Sequence, residues 1–265
     1  MQELTPSSPN PYSLLPNPLL IDYLKQYPQI GVAYSGGVDS SYLLYAAKAA
    51  GCDVRAYFIK SQFQPQFELD DAVRLADSID VPLTVGNVDA LCDPNVKENP
   101  PDRCYYCKNA ILSKIIELAH ADGISVLCDG SNADDDETDR PGMRAQREHG
   151  VVSPLRECGL TKADIRRLSK DAGLFTHDKP SYACLATRIP TDTAITEEIL
   201  KKVECAENAL FDMGFSDYRA RVVPPNGAKL QMPAAQWDSA ASRREDIVAA
   251  LRPYFDSIVL DLTPR

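Results

Sequence analysis

The residues of this chain best suited to chemistry are its cysteines and one stretch of serine and glycine. Of eight cysteines, Cys104 and Cys107 form the only Cys-x-x-Cys pair, and Cys184 stands in the irregular, proline-bracketed run 179–190. Such a pair serves three chemistries: zinc binding, dithiol exchange and iron–sulfur ligation. Structural zinc needs four closed ligands. No second pair exists here, so Cys104, Cys107, Cys184 and His177 would complete that set only if the loop allows it. A thioredoxin-like pair follows a strand and opens a helix of its own fold, whereas this one opens a helix after a proline-rich loop at 99–102. Three cysteines would leave one iron of a four-iron cluster without a protein ligand, open to bind and donate a sulfide. Most of the other cysteines, such as Cys128 in Val126-Leu127-Cys128, read as small core residues.

The second stretch is Ser35-Gly36-Gly37-Val38-Asp39-Ser40-Ser41. An apolar run at 30–34 predicts a short buried strand before it. A helix over about 40–50 follows, with Leu43, Leu44, Ala47 and Ala50 at helical spacing. Gly36 and Gly37 let backbone approach a ligand closely, Ser35, Ser40 and Ser41 add hydroxyls, and a helix N-terminus offers free N–H groups to an anion. That combination is a phosphate cradle; the plainer reading is a capped strand-to-helix turn. No Gly-Lys-[Ser/Thr] follows, so it is not a Walker A loop, and it lacks the dinucleotide Gly-x-Gly-x-x-Gly. The string resembles the pyrophosphate loop (PP-loop) of ATP pyrophosphatases. The resemblance implies an enzyme that cleaves ATP to AMP and pyrophosphate, usually by adenylating a carbonyl, carboxylate or base oxygen.

The elements that must position these groups follow from periodicity. Residues 1–20, rich in Pro, Ser and Asn, read as an extended lead, with a short helix at 21–27. Strands are expected at 54–59, 83–88 and 125–128, alternating with helices at 67–79, 105–121 and 161–172. The last begins with a capping box, Thr161 with Asp164. Alternation of this kind predicts an α/β fold with a doubly wound parallel sheet, whose ligands bind beyond the carboxyl ends of the strands. The fourth strand runs into Asp129-Gly130-Ser131-Asn132-Ala133-Asp134-Asp135-Asp136. These acids are either solvated surface and caps, or ligands for Mg²⁺ on ATP phosphates. Asp39 and Asp135 are the candidate magnesium ligands. From about 196 the pattern changes to a helix at 197–213, strands at 218–223 and 229–232, a helix at 243–251 and a strand at 257–262. This is a smaller C-terminal α+β unit. The expected division is a lead at 1–20, an ATP domain at 21–190, and a substrate or oligomerisation domain at 191–265.

The chain has 265 residues and a net charge of −10, which argues against broad binding to nucleic acid or anionic membrane. No apolar run is long enough for a transmembrane helix, and the first residues do not form a secretory signal. Cytoplasmic location is the expectation, and a disulfide framework is not expected.

Several strings together resemble the LarE family, ATP-dependent sulfur transferases of nickel-pincer cofactor synthesis. They are Ser35 to Ser41, Arg103-Cys104-Tyr105-Tyr106-Cys107-Lys108, Asp129-Gly130-Ser131-Asn132 with the acids after it, Arg140-Pro141-Gly142, Ser153-Pro154-Leu155, and Lys179-Pro180-Ser181 through Cys184 to Arg188. The resemblance covers most of residues 20–232 and implies a PP-loop, adenine nucleotide alpha hydrolase-like fold. It implies that a carboxylate of pyridinium-3,5-dicarboxylic acid mononucleotide is adenylated and that sulfur then displaces AMP. Members with a lone cysteine sacrifice its sulfur; members with three bind a [4Fe-4S] cluster. Cys104, Cys107 and Cys184 match the second type. The implied cofactors are ATP, Mg²⁺ and the cluster. The implied partners are the mononucleotide and a sulfide donor, with no membrane and no nucleic acid, in a homo-oligomer for which a hexamer is one candidate. Asn132 joins the ATP-binding set with Ser35, Gly36, Gly37, Asp39, Ser40 and Ser41.

Arg219 and Arg221 alternate on a predicted strand and so face one way. Family matching places them at the substrate phosphate, which arginine forks suit. Arg188 and Lys108 are candidates to neutralise substrate or adenylate. Where the family often ends a segment Ala-Arg-Ile-Glu, this chain has Gln231 in the acidic position. A PP-loop tRNA thiolase is the alternative, opposed by the acidic charge. A non-catalytic zinc- or nucleotide-binding protein is opposed by the intact Ser-Gly-Gly-Val-Asp-Ser string, and no glutaminase-like region fits for an amidotransferase.

Overall fold

Side chains of β2, Asp53–Lys60, alternate between two buried faces. Val54, Ala56 and Phe58 enter one apolar cluster while Tyr57 and Ile59 enter another. A strand buried on both faces needs helices on both sides of its sheet. The computed structural model, which describes residues 16–135 and 141–265, has that architecture. β1 (Gln29–Ala33), β2, β3 (Leu83–Asn87) and β4 (Leu127–Asp129) form a parallel sheet in the order β3-β2-β1-β4. On one face lie α1 (Pro18–Leu24) and α2 (Val38–Ala49), and α3 (Gln66–Ser78) joins their cluster through Ala72 and Leu75. On the other face, after the short α4 (Pro94–Lys97), α5 (Arg103–Ala121) brings in Leu112, Ile115 and Ala119. α6 (Pro141–Glu148) packs along α5, and α7 (Pro154–Glu157) and α8 (Lys162–Asp171) pack against α2. The doubly wound parallel sheet expected from the alternation is therefore the observed fold.

α1 starts earlier than periodicity predicts and ends earlier too. The Asn17 side chain accepts from the Leu19 and Leu20 amides and Pro18 fills the first helical position, a cap-and-proline start. Residues 18–20, expected in the lead, are therefore helical. Residues 1–15 lie outside the described residues, as do Asp136 and Arg140. The capping box of α8 forms as its spacing requires.

The second sheet contains β5 (Arg219–Val223), β6 (Gly227–Gln231) and β7 (Ser257–Leu260), antiparallel between the first two and parallel between the last two. α9 (Glu197–Asp212) lays Leu200, Val203 and Leu210 on it, and α10 (Trp237–Ser242) and α11 (Arg244–Leu251) add Ala240 and Leu251. The same cluster takes in Phe63 and Val96 from the first half, and Leu185, Ala186 and Ile189 from the loop that carries Cys184.

In the first sheet the chain runs outward from β1 to β3 and then returns to place β4 on the other side of β1. A crevice opens at such a switch point. Two loops meet there: the serine–glycine turn after β1 and the acidic loop after β4. Their contact is so close that a Cβ on Gly130 would lie 2.7 Å from the Ser40 amide nitrogen. Only glycine lets the β4 loop seat against the start of α2.

Candidate functional site

α2 begins at Val38, two residues before the sequence expectation, with Gly37 as its N-cap. Gly37 has no side chain to cap the first-turn amides, so they stay available to an anion. Gly36 has φ +71°, and a Cβ there would meet the Glu68 carbonyl oxygen at 3.0 Å. Ser35 and Ser40 hydroxyls lie 3.1 Å apart, and Ser40 Oγ also receives the Ser35 amide. Ser41 is fully buried below them. Asp39 is ion-paired with Lys162, at the start of α8, and accepts from Asn132 Nδ2 at 3.3 Å. Lys162 is a residue that sequence reading did not single out.

The acids after β4 divide by role. Asp129 is buried and its carboxylate accepts from Ser131, Gln146 and Ser153; it organises the loop. Asp134 receives the Lys162 amide, and Asp135 receives the Asn132 amide at 3.0 Å. Asp135 and Ser131 also face a second space.

That space is a cavity of about 440 Å³ whose wall includes Cys104, Cys107, Cys184, Arg103 and Lys108. Two cysteines come from the first two turns of α5, three residues apart, and the third from the residue before a 3-10 turn at Leu185–Arg188. Burial pushes the Cys107 thiol up to about 12, with Cys184 adding to the shift and Arg103 opposing it. Burial likewise raises Cys184. Among the described residues, no group of three His, Cys, Asp or Glu side chains is drawn together at metal-binding spacing. His177 Nδ1 donates to the Leu174 carbonyl, in a 3-10 turn packed on α2 and α8, and the residue does not line the cavity. The zinc set of three cysteines plus His177 is thus not assembled.

The loop 179–190 is held at both ends. Lys179 Nζ donates to the Gly36 carbonyl at 3.2 Å and pairs with Asp71 at 2.7 Å. At the other end Arg188 is 1 % exposed and its guanidinium meets Glu207 through two bonds of 2.8 and 2.9 Å. Arg188 Nη1 also donates to the carbonyls of Ala183 and Cys184. Glu207, 4 % exposed, further accepts from Tyr182 and the Ala220 amide. Sequence reading offered Arg188 to the substrate or the adenylate; in the fold its guanidinium meets Glu207 and the Cys184 carbonyl. Glu207 was missed, although a carboxylate on the apolar stripe of Val203 and Leu210 was the available signal.

Arg219 and Arg221 lie on β5, where their donors reach the carbonyls of Tyr218, Ser181 and Thr187 and the Gln231 side chain. Burial lowers both, Arg219 to about 10, and the neighbouring Arg188 and Arg265 charges add to this. An anion between them would relieve that repulsion. Arg219 also borders a cavity of about 330 Å³ with Lys179, Phe67, Tyr182 and Phe211.

Glu68, beside Gly36, carries a testable pH dependence. Burial pushes its carboxyl up to about 7, against the charges of Lys179, Arg188 and Lys60. Between the ordinary value of 4.5 and about 7 the folded chain holds a proton that the unfolded chain has released. Its contribution to stability is complete below that window and is lost as pH rises through it. The melting temperature of the protein relative to Glu68→Gln should therefore fall across the window and level off above it. Parallel melting profiles for the two proteins would exclude this assignment.

No helix among the described residues is long and apolar enough to cross a membrane. No protein-family profile matches the chain. Over 219 residues, 82% of this chain and 79% of the relative, it is 32% identical to the pyridinium-3,5-bisthiocarboxylic acid mononucleotide synthase of Lactiplantibacillus plantarum. It is 35% identical over 206 residues to an uncharacterized protein of Synechocystis sp., covering 77% of this chain and 76% of the relative. The tRNA-specific 2-thiouridylase MnmA of Pseudothermotoga lettingae is 27% identical over 190 residues, 57% of this chain and 54% of that protein.

Proposed function

The chain belongs to the LarE family of pyridinium-3,5-bisthiocarboxylic acid mononucleotide synthases, and from that premise we propose that it uses ATP to replace carboxylate oxygen of pyridinium-3,5-dicarboxylic acid mononucleotide with sulfur. The observation that carries this reading is the loop after β4. Gly130 and Asn132 abut the Ser35–Ser41 turn, while Ser131 and Asp135 line the cysteine cavity. A phosphate cradle and a thiol-lined chamber thus share one wall.

In the first step a substrate carboxylate oxygen bonds to the α-phosphorus of ATP, and pyrophosphate leaves with the electron pair of the broken P–O bond. The amides at the start of α2, with Ser35 and Ser40, bind the polyphosphate; Asp39 and Asp135 would hold Mg²⁺. In the second step hydrosulfide forms a C–S bond at the acyl carbon. The bond to AMP breaks, AMP takes its electron pair, and the sulfur proton passes to water. A second round gives the dithio product. Lys108 offsets negative charge in the chamber, and Arg219 and Arg221 hold the nucleotide phosphate. Cys104, Cys107 and Cys184 fit a [4Fe-4S] cluster by donor chemistry: three thiols from two segments line one chamber beside a buried cation. When bound, such a cluster supplies sulfide for the transfer.

Anaerobic incubation with ATP, Mg²⁺, sodium sulfide and the dicarboxylic acid mononucleotide should yield AMP, pyrophosphate and a thiocarboxylate product, each resolved by mass spectrometry. Absence of that product together with thiolation of added tRNA would replace this reading with the tRNA thiolase one.

A further inference from the structure

One group in the cysteine cavity is left over by this chemistry. Arg103 opens α5, and only 6 % of it is exposed. Its guanidinium lies 5.6 Å from the Phe63 ring centre, in a wall shared with the three cysteines. One arm of the fork, Nη2, donates to Cys104 Sγ at 3.4 Å. The other arm, Nη1, is buried and has no hydrogen-bond partner among the described residues. Buried donors are normally satisfied, and a charged one left unpaired is costly.

We infer that Arg103 is the anion-binding residue of the cysteine cavity, and that its free arm holds a hydrosulfide ion beside Cys104. The inference rests on reading this cavity as the place of sulfur transfer. The choice of anion follows from the fork. A guanidinium takes a carboxylate through two parallel N–H bonds, but here one arm is already engaged by Cys104. The remaining arm suits an anion whose charge sits on one atom. The surroundings suit sulfur, since Phe63, Met143 and three cysteines supply a polarizable wall. Lys108 adds a second positive charge, and Asp135 is the acid in the described wall.

The test is anaerobic equilibrium dialysis of the reduced, purified protein against radiolabelled sodium hydrosulfide, with iron and acid-labile sulfide measured on the same samples. The protein should bind hydrosulfide saturably, and Arg103→Met should weaken binding by about tenfold or more. Excess sodium acetate should not compete. In Cys104→Ala both arms are free, and acetate should then compete. Unsaturable binding, binding by Arg103→Met within about twofold of the unmodified protein, or displacement of hydrosulfide from the unmodified protein by acetate would each overturn the inference. Should Arg103→Met fail to fold by circular dichroism, Arg103→Lys decides: weaker binding at an unchanged melting temperature supports the inference, and equal binding overturns it. Thiocarboxylate formation is scored separately. Hydrosulfide held by Arg103 without thiolation would leave this inference standing and remove the proposed function; thiolation with sulfide binding indifferent to Arg103 would do the reverse.

Discussion

Replacing Cys184 by alanine should abolish thiocarboxylate formation while leaving adenylation intact. The expected fall in thiolation is roughly a thousandfold or more, the scale seen when one member of a reacting unit is removed. Exchange of labelled pyrophosphate into ATP in the presence of the mononucleotide should persist, because the Ser35–Ser41 turn and the start of α2 are untouched. The split between the two assays is the informative result. Cys184 reaches the chamber from just before the 3-10 turn, whereas Cys104 and Cys107 reach it from α5, so the Cys184 variant tests a different wall from the other two. Thiolation by Cys184→Ala at the level of the unmodified protein would remove the cysteine from the sulfur path. Loss of pyrophosphate exchange as well would mean that the loop 179–190 also shapes the ATP site.

Glu207→Ala should destabilise the fold by about 3–5 kcal/mol, because it leaves the Arg188 guanidinium buried without its counter-charge. Four bonds converge on Glu207 from Arg188, Tyr182 and the Ala220 amide, and the alanine variant loses all of them at once. Urea unfolding would measure the loss. The double variant Glu207→Ala with Arg188→Met should recover part of it, since removing both partners is cheaper than orphaning one. If the two single losses simply add in the double variant, the pair is not coupled and the assignment fails. The Cys184 carbonyl accepts from Arg188, so thiolation should fall in Glu207→Ala even where the protein is fully folded.

Much of the fold was written locally. The Ser35–Ser41 turn was legible because an apolar strand, two glycines, three hydroxyls and a helical stripe occur in succession, and each signals through its near neighbours. The capping box at Thr161 was legible for the same reason. The offset of α1 shows the limit of periodicity, which finds a helix but not its first residue; Asn17 and Pro18 set that. The engagement of Arg188 was not legible, because its partner lies nineteen residues further on in α9. Likewise, nothing in the acidic run separates Asp129, consumed by Ser131, Gln146 and Ser153, from Asp135, which reaches the cavity wall. That distinction depends on α6 and on the approach to α7, which fold back from outside the motif. The glycine at 130 is a further case: its necessity comes from Ser40, on an element far away in sequence.

Lys179 fastens one end of the Cys184 loop to the backbone of Gly36, and Arg188 fastens the other to α9. With both ends fastened, the loop spans the distance between the serine–glycine turn and the cysteine cavity. An inserted residue would carry Cys184 along the path and out of register with Cys104 and Cys107.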